Sequence, residues 1–332
     1  MAPVISRYNR QELLPFIGRD GQEKLAKSVV AVIGLGALGT VAADMLARSG
    51  IGSLTIVDRD VIEVTDLQRQ LLYDESDVGK PKAAAAGEKL ARINSEIKIT
   101  AAAADVDYKN ISKLIGLPDV VLDCTDNLET RFLLNEYCLK NRLAWVHAAA
   151  IRETAQLMAF DFRGSGKKQP CFACVFGNSA VEETCDTVGV LSSATAIVAA
   201  MQATEAIKLL VGIPATTDML RLNVLQNNLT KIAIKKNQRC SSCGIGTNYN
   251  YLSGKKARSV VVMCGKGAYQ IKGKSVDIAK LKSRLQQMGE KVIDFGECIS
   301  FRNITLFRDG RALIKTGSVE KAKADYARYV GT

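Results

Sequence analysis

The sequence predicts an α/β protein: a doubly wound, mostly parallel Rossmann-like sheet extended by antiparallel strands, then a small C-terminal α+β domain. Three observations carry this. The apolar run "SVVAVI" leads straight into the glycine turn "GLGALG", and a helix and a second strand ending in acids come next. That is the strand–loop–helix–strand unit that opens a doubly wound sheet. Apolar strands and helical periodicity then alternate for about 100 residues, as a parallel sheet requires. Finally the charge balance changes: residues 255–332 hold 17 of the 45 lysines and arginines but only 7 of the 34 acids. The shift falls at "SGKKAR" (253–258) and divides the chain into domains at 1–254 and 255–332.

The elements run in order. After the turn, "TVAADMLARSG" repeats apolar residues at helical spacing and stops at Gly50. "SLTIVDRD" is the second strand, "KPKAAAAGEKLARIN" a helix, "EIKITAAA" a strand and "DVVLDCTDN" a strand ending in acids. "LETRFLLNEYCLKN" is the next helix and "LAWVHAA" the next strand. The register then changes. "TAQLMAFDF" reads as antiparallel, "SATAIVAAMQATEAIKLLVG" as a long apolar helix, and "MLRLNVLQNNLTKIAIKK" as a hairpin turning near Asn227 and Asn228. The basic tail reads as hairpin, helix, strands, helix.

Composition narrows the function. Apolar residues make up 47% of 332, enough for a large core, with a net charge of +11. No run reads as long enough to span a bilayer and the N-terminus lacks a signal-peptide core, so a soluble cytoplasmic protein without a membrane partner is expected. The single histidine, His147, ends an apolar strand and reads as structural. Chemistry needing several histidines is excluded. The basic tail suits an acidic protein partner or nucleic acid.

The cysteines sort by context. "PCFAC" and "RCSSC" place Cys171 with Cys174 and Cys240 with Cys243, with 65 residues between the pairs. Two C-x-x-C knuckles predict one tetrahedral zinc ion acting as a long-range structural clip, since four sulfurs leave no open position. Cytoplasmic thiols stay reduced, which argues against disulfides. Cys124 and Cys138 read as core. Cys264, at a strand end, also takes the structural reading. Cys185, in "VEETCDTVG", lies in a polar loop ahead of the long helix, where packing gives no reason for a thiol.

Gly34, Gly36 and Gly39 form the G-x-G-x-x-G cradle for a phosphate. Asp58 ends the second strand, 19 residues beyond Gly39, where an acid commonly binds ribose. The residues beyond Asp58 decide between nicotinamide and triphosphate. "DRDVIEVTDLQRQLLYDESDVGKPK" carries Asp58, Asp60, Asp66, Gln68, Arg69, Gln70, Lys80 and Lys82. Fixed cations gathered after the ribose position suit a triphosphate that loses pyrophosphate. Arg10, in "RYNRQ", is one more cation available to a phosphate.

Together "RYNRQELLPFIGRDGQEKL", "GLGALG", "DRDVIEVTDLQRQ", "VGKPKA", "DCTDN", the two C-x-x-C pairs and "QATEAIKLLVG" resemble the ThiF/MoeB/HesA group, prokaryotic relatives of ubiquitin-activating enzymes. The resemblance covers residues 4–246. It implies ATP-dependent adenylation of the C-terminal glycine of a small β-grasp protein ending in Gly-Gly, either a sulfur carrier or a ubiquitin-like modifier. By this resemblance Gly34, Gly36, Ala37 and Gly39 form the nucleotide loop, and Asp58, Asp60, Asp66 and Gln70 surround the nucleotide. Arg69 and Lys82 hold the phosphates, Asp126 holds magnesium with Asn127 beside it, and Arg10 reaches into the neighbouring site of a homodimer. Cys185 matches the thiol that bonds the activated glycine in some members. Two departures stand out: Ala37 where the family often has glycine, and Asp66 where it usually has asparagine. The basic tail would recruit an acidic carrier or a downstream thiol enzyme or sulfur donor. The alternatives are ATP-dependent dehydration of a tRNA base, an NAD-dependent oxidoreductase and a non-catalytic adaptor. The cation cluster argues against the oxidoreductase.

Overall fold

The computed structural model describes residues 6–164, 169–177, 188–256, 261–263 and 267–331. Two short helices, α1 (Asn9–Glu12) and α2 (Gly18–Lys27), precede the first sheet. Its parallel part contains β1 (Val29–Ile33), β2 (Ser53–Asp58), β3 (Lys98–Ala103), β4 (Val120–Asp123) and β5 (Ala144–Ile151). An antiparallel extension adds β6 (Thr154–Asp161), β7 (Met219–Asn223) and β8 (Asn228–Ile232). The order across the sheet is β3-β2-β1-β4-β5-β6-β7-β8. The expected hairpin is present, with Asn227 in the left-handed region at its turn.

Strand residues alternate between two cores because successive side chains leave opposite faces of a strand. Val30, Val32, Leu54, Ile56 and Leu122 pack with α3 (Ala37–Arg48) and α4 (Lys82–Ile93) on one face. Ala31, Ile33, Val57, Val121 and Trp145 pack on the other, with α5 (Ile111–Ile115), α6 (Leu128–Asn141) and α7 (Phe172–Phe176). The long helix α8 (Ser192–Val211) joins the first face through Val198, Ala199, Ala203 and Leu209. By length and composition α8 would pass for a membrane span, contrary to the expectation from the sequence. It is a core helix: its Gln202 is fully buried and donates to the Asp123 and Val146 carbonyls at 2.8 Å each.

A second sheet is built from β9 (Val261–Met263), β10 (Ala268–Ile271), β11 (Ile293–Asp294), β12 (Cys298–Phe301), β13 (Ile304–Phe307) and β14 (Ala312–Lys315). Its order is β11-β12-β13-β14-β10-β9, antiparallel throughout. Helices α9 (Ile278–Gln287) and α10 (Val319–Tyr329) cover it with a separate core around Leu285, Phe301 and Leu306. This is the α+β pattern read from the tail.

Register fixes where chemistry can occur. Ile33 of β1 lies beside Val57 of β2 and Asp123 of β4. The residues leaving those strands therefore emerge at one edge: Gly34, Asp58 and the 124–127 segment. That edge is where the strand order reverses between β1 and β4, the usual crevice for ligands in open α/β sheets.

Candidate active site and metal centre

A cavity of about 490 Å³ opens at this edge. Gly34, Gly36 and Ala37 form one wall and Asp58, Asp60, Asp66, Arg69, Gln70 and Lys82 line the next. Asp126 and Asn127 close a third side. The glycine turn is shaped by steric need. Gly34 has φ +91°, and a Cβ there would stand 2.6 Å from the Cys124 carbonyl oxygen. A Cβ on Gly39 would lie 1.9 Å from the Gly34 carbonyl oxygen, so only glycine lets α3 start this close to the turn. The unpaired amides of the first turn of α3 then form an anion site.

Asp58 anchors the turn as well as facing the cavity. Its carboxylate accepts from the Leu35 amide at 2.6 Å and the Asp60 amide at 2.7 Å. Burial pushes its pKa up, the nearby Asp60 adds to this, and Lys82 works against it. The Asp60 carbonyl accepts from the Lys82 amide at 2.9 Å, which sets the start of α4. Tyr73, which sequence reasoning missed, donates to the Leu35 and Lys82 carbonyls at 3.1 and 3.2 Å and ties the glycine turn to the start of α4.

The cations are held by an acid. Lys82 is 3% exposed and Asp66 1% exposed, with Lys82 Nζ 3.2 Å from Asp66 Oδ2. Arg69 lies 3.7 Å from Asp66 Oδ1, and Gln70 Nε2 donates to that oxygen at 2.7 Å. Asp66 also accepts from the Glu63 amide at 3.0 Å, closing a short 3-10 turn over Val64–Asp66. The extra acid is thus neutralised by the two residues assigned to phosphate, with a carboxamide beside them.

Asn127 is the N-cap of α6, its side chain accepting from the Thr130 amide at 2.8 Å. Asp126 is 60% exposed and faces Arg59 Nη2 at 3.8 Å. Arg59 and Arg131 line the cavity and were not singled out in the sequence. Arg131 donates to the Thr125 carbonyl at 2.6 Å and stands 3.7 Å from buried Asp123. Nothing in sequence spacing marks a helix arginine as facing a cavity. Gly39 lies behind the turn, and Arg10 is exposed on α1 away from the cavity. Cys185 and Cys264 lie outside the described residues.

His147 is structural, as expected. Its Nδ1 is 2.7 Å from Asp123 Oδ2 in the core. Burial pushes the imidazole pKa below its usual value, although Asp123 works against that. Cys124 and Cys138 are core thiols, raised by burial.

The four knuckle cysteines converge. Their Sγ atoms all lie within 4.8 Å of one another, with Cys171–Cys240 at 3.6 Å, Cys174–Cys243 at 3.4 Å and Cys171–Cys174 at 3.9 Å. Four thiolates at ~2.3 Å from a tetrahedral zinc would stand ~3.8 Å apart, so the set fits. The surroundings suit thiolates: the Asn237 amide donates to Cys174 Sγ at 3.5 Å and Asn135 Nδ2 to Cys171 Sγ at 3.8 Å. Hydrogen bonds within the cluster split the thiols: Cys171 and Cys243 drive the Cys174 pKa down, while Cys171 and Cys243 themselves are raised.

Residues 8–242 match the model of the ThiF family. The chain is 37% identical over 341 residues to the sulfur carrier protein ThiS adenylyltransferase of Bacillus subtilis, covering 99% of this chain and 100% of that protein. It is 37% identical over 243 residues to the molybdopterin-synthase adenylyltransferase of Escherichia coli, covering 72% of this chain and 96% of that protein. Among solved structures, E. coli MccB with ATP shares the fold at a TM-score of 0.64 and 24% identity, covering 73% of this chain and 75% of that one. A glycine turn at the switch point, buried Lys82 and half-buried Arg69 beside it and these relatives lead to one assignment: the chain belongs to the ThiF family and is an adenylyltransferase.

Proposed function

We propose that the chain uses ATP and magnesium to adenylate the C-terminal glycine of a small β-grasp sulfur carrier ending in Gly-Gly. The observation that carries this is Lys82 and Arg69 gathered on Asp66 beside the glycine turn, a cation pair placed for phosphates. Relatives named for activating such proteins support the substrate class, among them the SAMP-activating enzyme E1 of Haloferax volcanii, 34% identical over 74% of this chain and 91% of that protein. They favour it over tRNA-base modification.

In this reading a carboxylate oxygen of the carrier attacks the α-phosphorus of ATP. The bond from that phosphorus to the bridging oxygen breaks, and pyrophosphate leaves with the electron pair. Asp58 takes the ribose hydroxyls, and the glycine turn and α3 amides take phosphate. Lys82 and Arg69 stabilise the charge that develops on the phosphates. Asp126, a hard and accessible carboxylate, would hold magnesium, which supplies charge neutralisation. Zinc at Cys171, Cys174, Cys240 and Cys243 would close the structural clip. Cys185 serves as the thiol in a thioester route, and a sulfur donor replaces it in a thiocarboxylate route. Arg10 acts from the second copy of a homodimer. We assign the domains as 1–254 and 255–332, since the two sheets share no strand, and the compartment as the cytoplasm.

ATP–pyrophosphate exchange with small Gly-Gly proteins of the same organism tests this. Exchange should require one carrier, vanish in Lys82→Ala and persist in Cys185→Ala. Exchange that ignores every carrier would overturn the substrate assignment.

A further inference from the structure

The second sheet does not merely succeed the first. It grips the edge of the cavity. Gln270 and Lys272, in and just after β10, converge on one carboxylate. Gln270 Nε2 donates to Asp105 Oδ2 at 2.9 Å, and Lys272 Nζ lies 2.9 Å from the same oxygen and 3.0 Å from Asp107. Arg311, just before β14, is 2% exposed. Its guanidinium stacks 3.7 Å from the Phe307 ring centroid and donates to the carbonyls of Arg59, just after β2, and Ala103, the last residue of β3.

Asp105 in turn holds Arg59, whose Nη1 is 3.4 Å from Asp105 Oδ1. The other end of the same guanidinium faces Asp126 at 3.8 Å. Arg59 and Asp105 both line the nucleotide cavity. Burial alone would raise the Asp105 pKa, but Arg59 and Lys272 hold it ionised. Gln270 is 1% exposed and Asp105 11%, so this counter-ion is fixed in place rather than solvated.

The geometry points to the C-terminal sheet as a positioning element of the adenylation site: Gln270, Lys272 and Arg311 fix Asp105 and the Arg59 backbone, so that Arg59 stays shared between Asp105 at 3.4 Å and Asp126 at 3.8 Å and does not close on Asp126, whose exposed carboxylate is left to magnesium. This rests on reading the cavity as the ATP site and Asp126 as the metal carboxylate. An Arg59 released by Asp105 would close from 3.8 Å onto Asp126 and compete with the metal.

The test uses the full chain and a non-hydrolysable ATP analogue, with affinity measured by calorimetry with and without magnesium and no carrier present. Asp105→Asn should weaken magnesium-dependent nucleotide binding about 5-fold, the size of one partly buried ion pair. Binding without magnesium should change by less than that. The tail-side double variant Gln270→Ala/Lys272→Ala should shift in the same direction, while Lys280→Ala on the solvent side of α9, an equal charge change, should not. Melting curves check that each variant is folded. A folded double variant that binds the magnesium complex as the wild type does would overturn the inference. So would equal losses with and without magnesium, which mark general loosening. A wild type that binds no nucleotide would instead overturn the reading of the cavity, and this inference with it.

Discussion

Asp66 is the residue whose sequence reading and structural role differ most. As an extra acid beside a triphosphate site it looks unfavourable, and spacing alone cannot say what neutralises it. The fold supplies the neutralising groups: a 3-10 turn and the first turn of α4 bring Asp66, Lys82 and Arg69 together across 16 positions. Glycines, by contrast, are legible singly, because the turn demands them whatever surrounds it. On the proposed reading, phosphates arriving at Lys82 would compete with Asp66. Asp66→Asn keeps the side-chain shape and an acceptor but removes that competition. The free protein should lose roughly 2 kcal/mol, since a buried cation loses its counter-ion. Magnesium–ATP should then raise the melting temperature more in the variant than in the wild type, because the nucleotide supplies the missing charge. A smaller rise would show that Asp66 assists the phosphates rather than opposing them.

At the scale of elements, periodicity and turn chemistry were readable and pairing was not. "LETRFLLNEYCLKN" coincides with α6 because Asn127 caps it and Arg142 leaves it in the left-handed region. The short α5 and α7 escaped, since five residues show no helical period. Register escaped as well, and it is register that sets Asp123 of β4 opposite His147 of β5. That pair gives the protein a pH response. The folded His147 has a pKa below the unfolded 6.5, chiefly through burial. Below pH ~6.5 the unfolded chain therefore binds more protons at this residue than the folded one. Its effect on stability is absent above that pH and becomes unfavourable as pH falls through it. His147→Asn removes the titration while keeping a donor toward Asp123. Urea unfolding at about pH 7.5 and about pH 5.5 should show a steeper acid loss in the wild type than in the less stable variant. Parallel losses would mean that other groups carry the acid sensitivity.

For the molecule as a whole, the sequence located the clip and the change of composition, but not how the second sheet meets the first. The tail's positive charge suggested an external partner. Part of it is spent within the chain instead, with Lys272 on Asp105 and Asp107 and Lys315 on Glu63 at 2.9 Å. Such contacts join residues more than 150 positions apart, and no local pattern announces them. The cysteine cluster is the opposite case, since its spacing carried its geometry. It closes the face of the first sheet covered by α6 and α7: Cys171 packs in the core there, and Glu136 of α6 accepts from the Tyr251 and Leu252 amides at 2.8 Å each, so the segment after the second knuckle is fixed too. The glycine turn and Lys82 belong with α3 and α4 on the other face, although Phe172 and Phe176 of α7, within two residues of Cys171 and Cys174, also line the cavity. Loss of the metal should therefore weaken the molecule without dismantling the phosphate cradle. Prolonged chelation should release one zinc per chain and lower the melting temperature by roughly 5–10 °C. Nucleotide binding well below the transition should persist. Cys240→Ala/Cys243→Ala should reproduce the lowered melting point and lose the response to chelator. If chelation abolished nucleotide binding in a protein that still melted cooperatively, the two faces would be coupled through the sheet, and the clip would belong to the catalytic apparatus rather than to the scaffold.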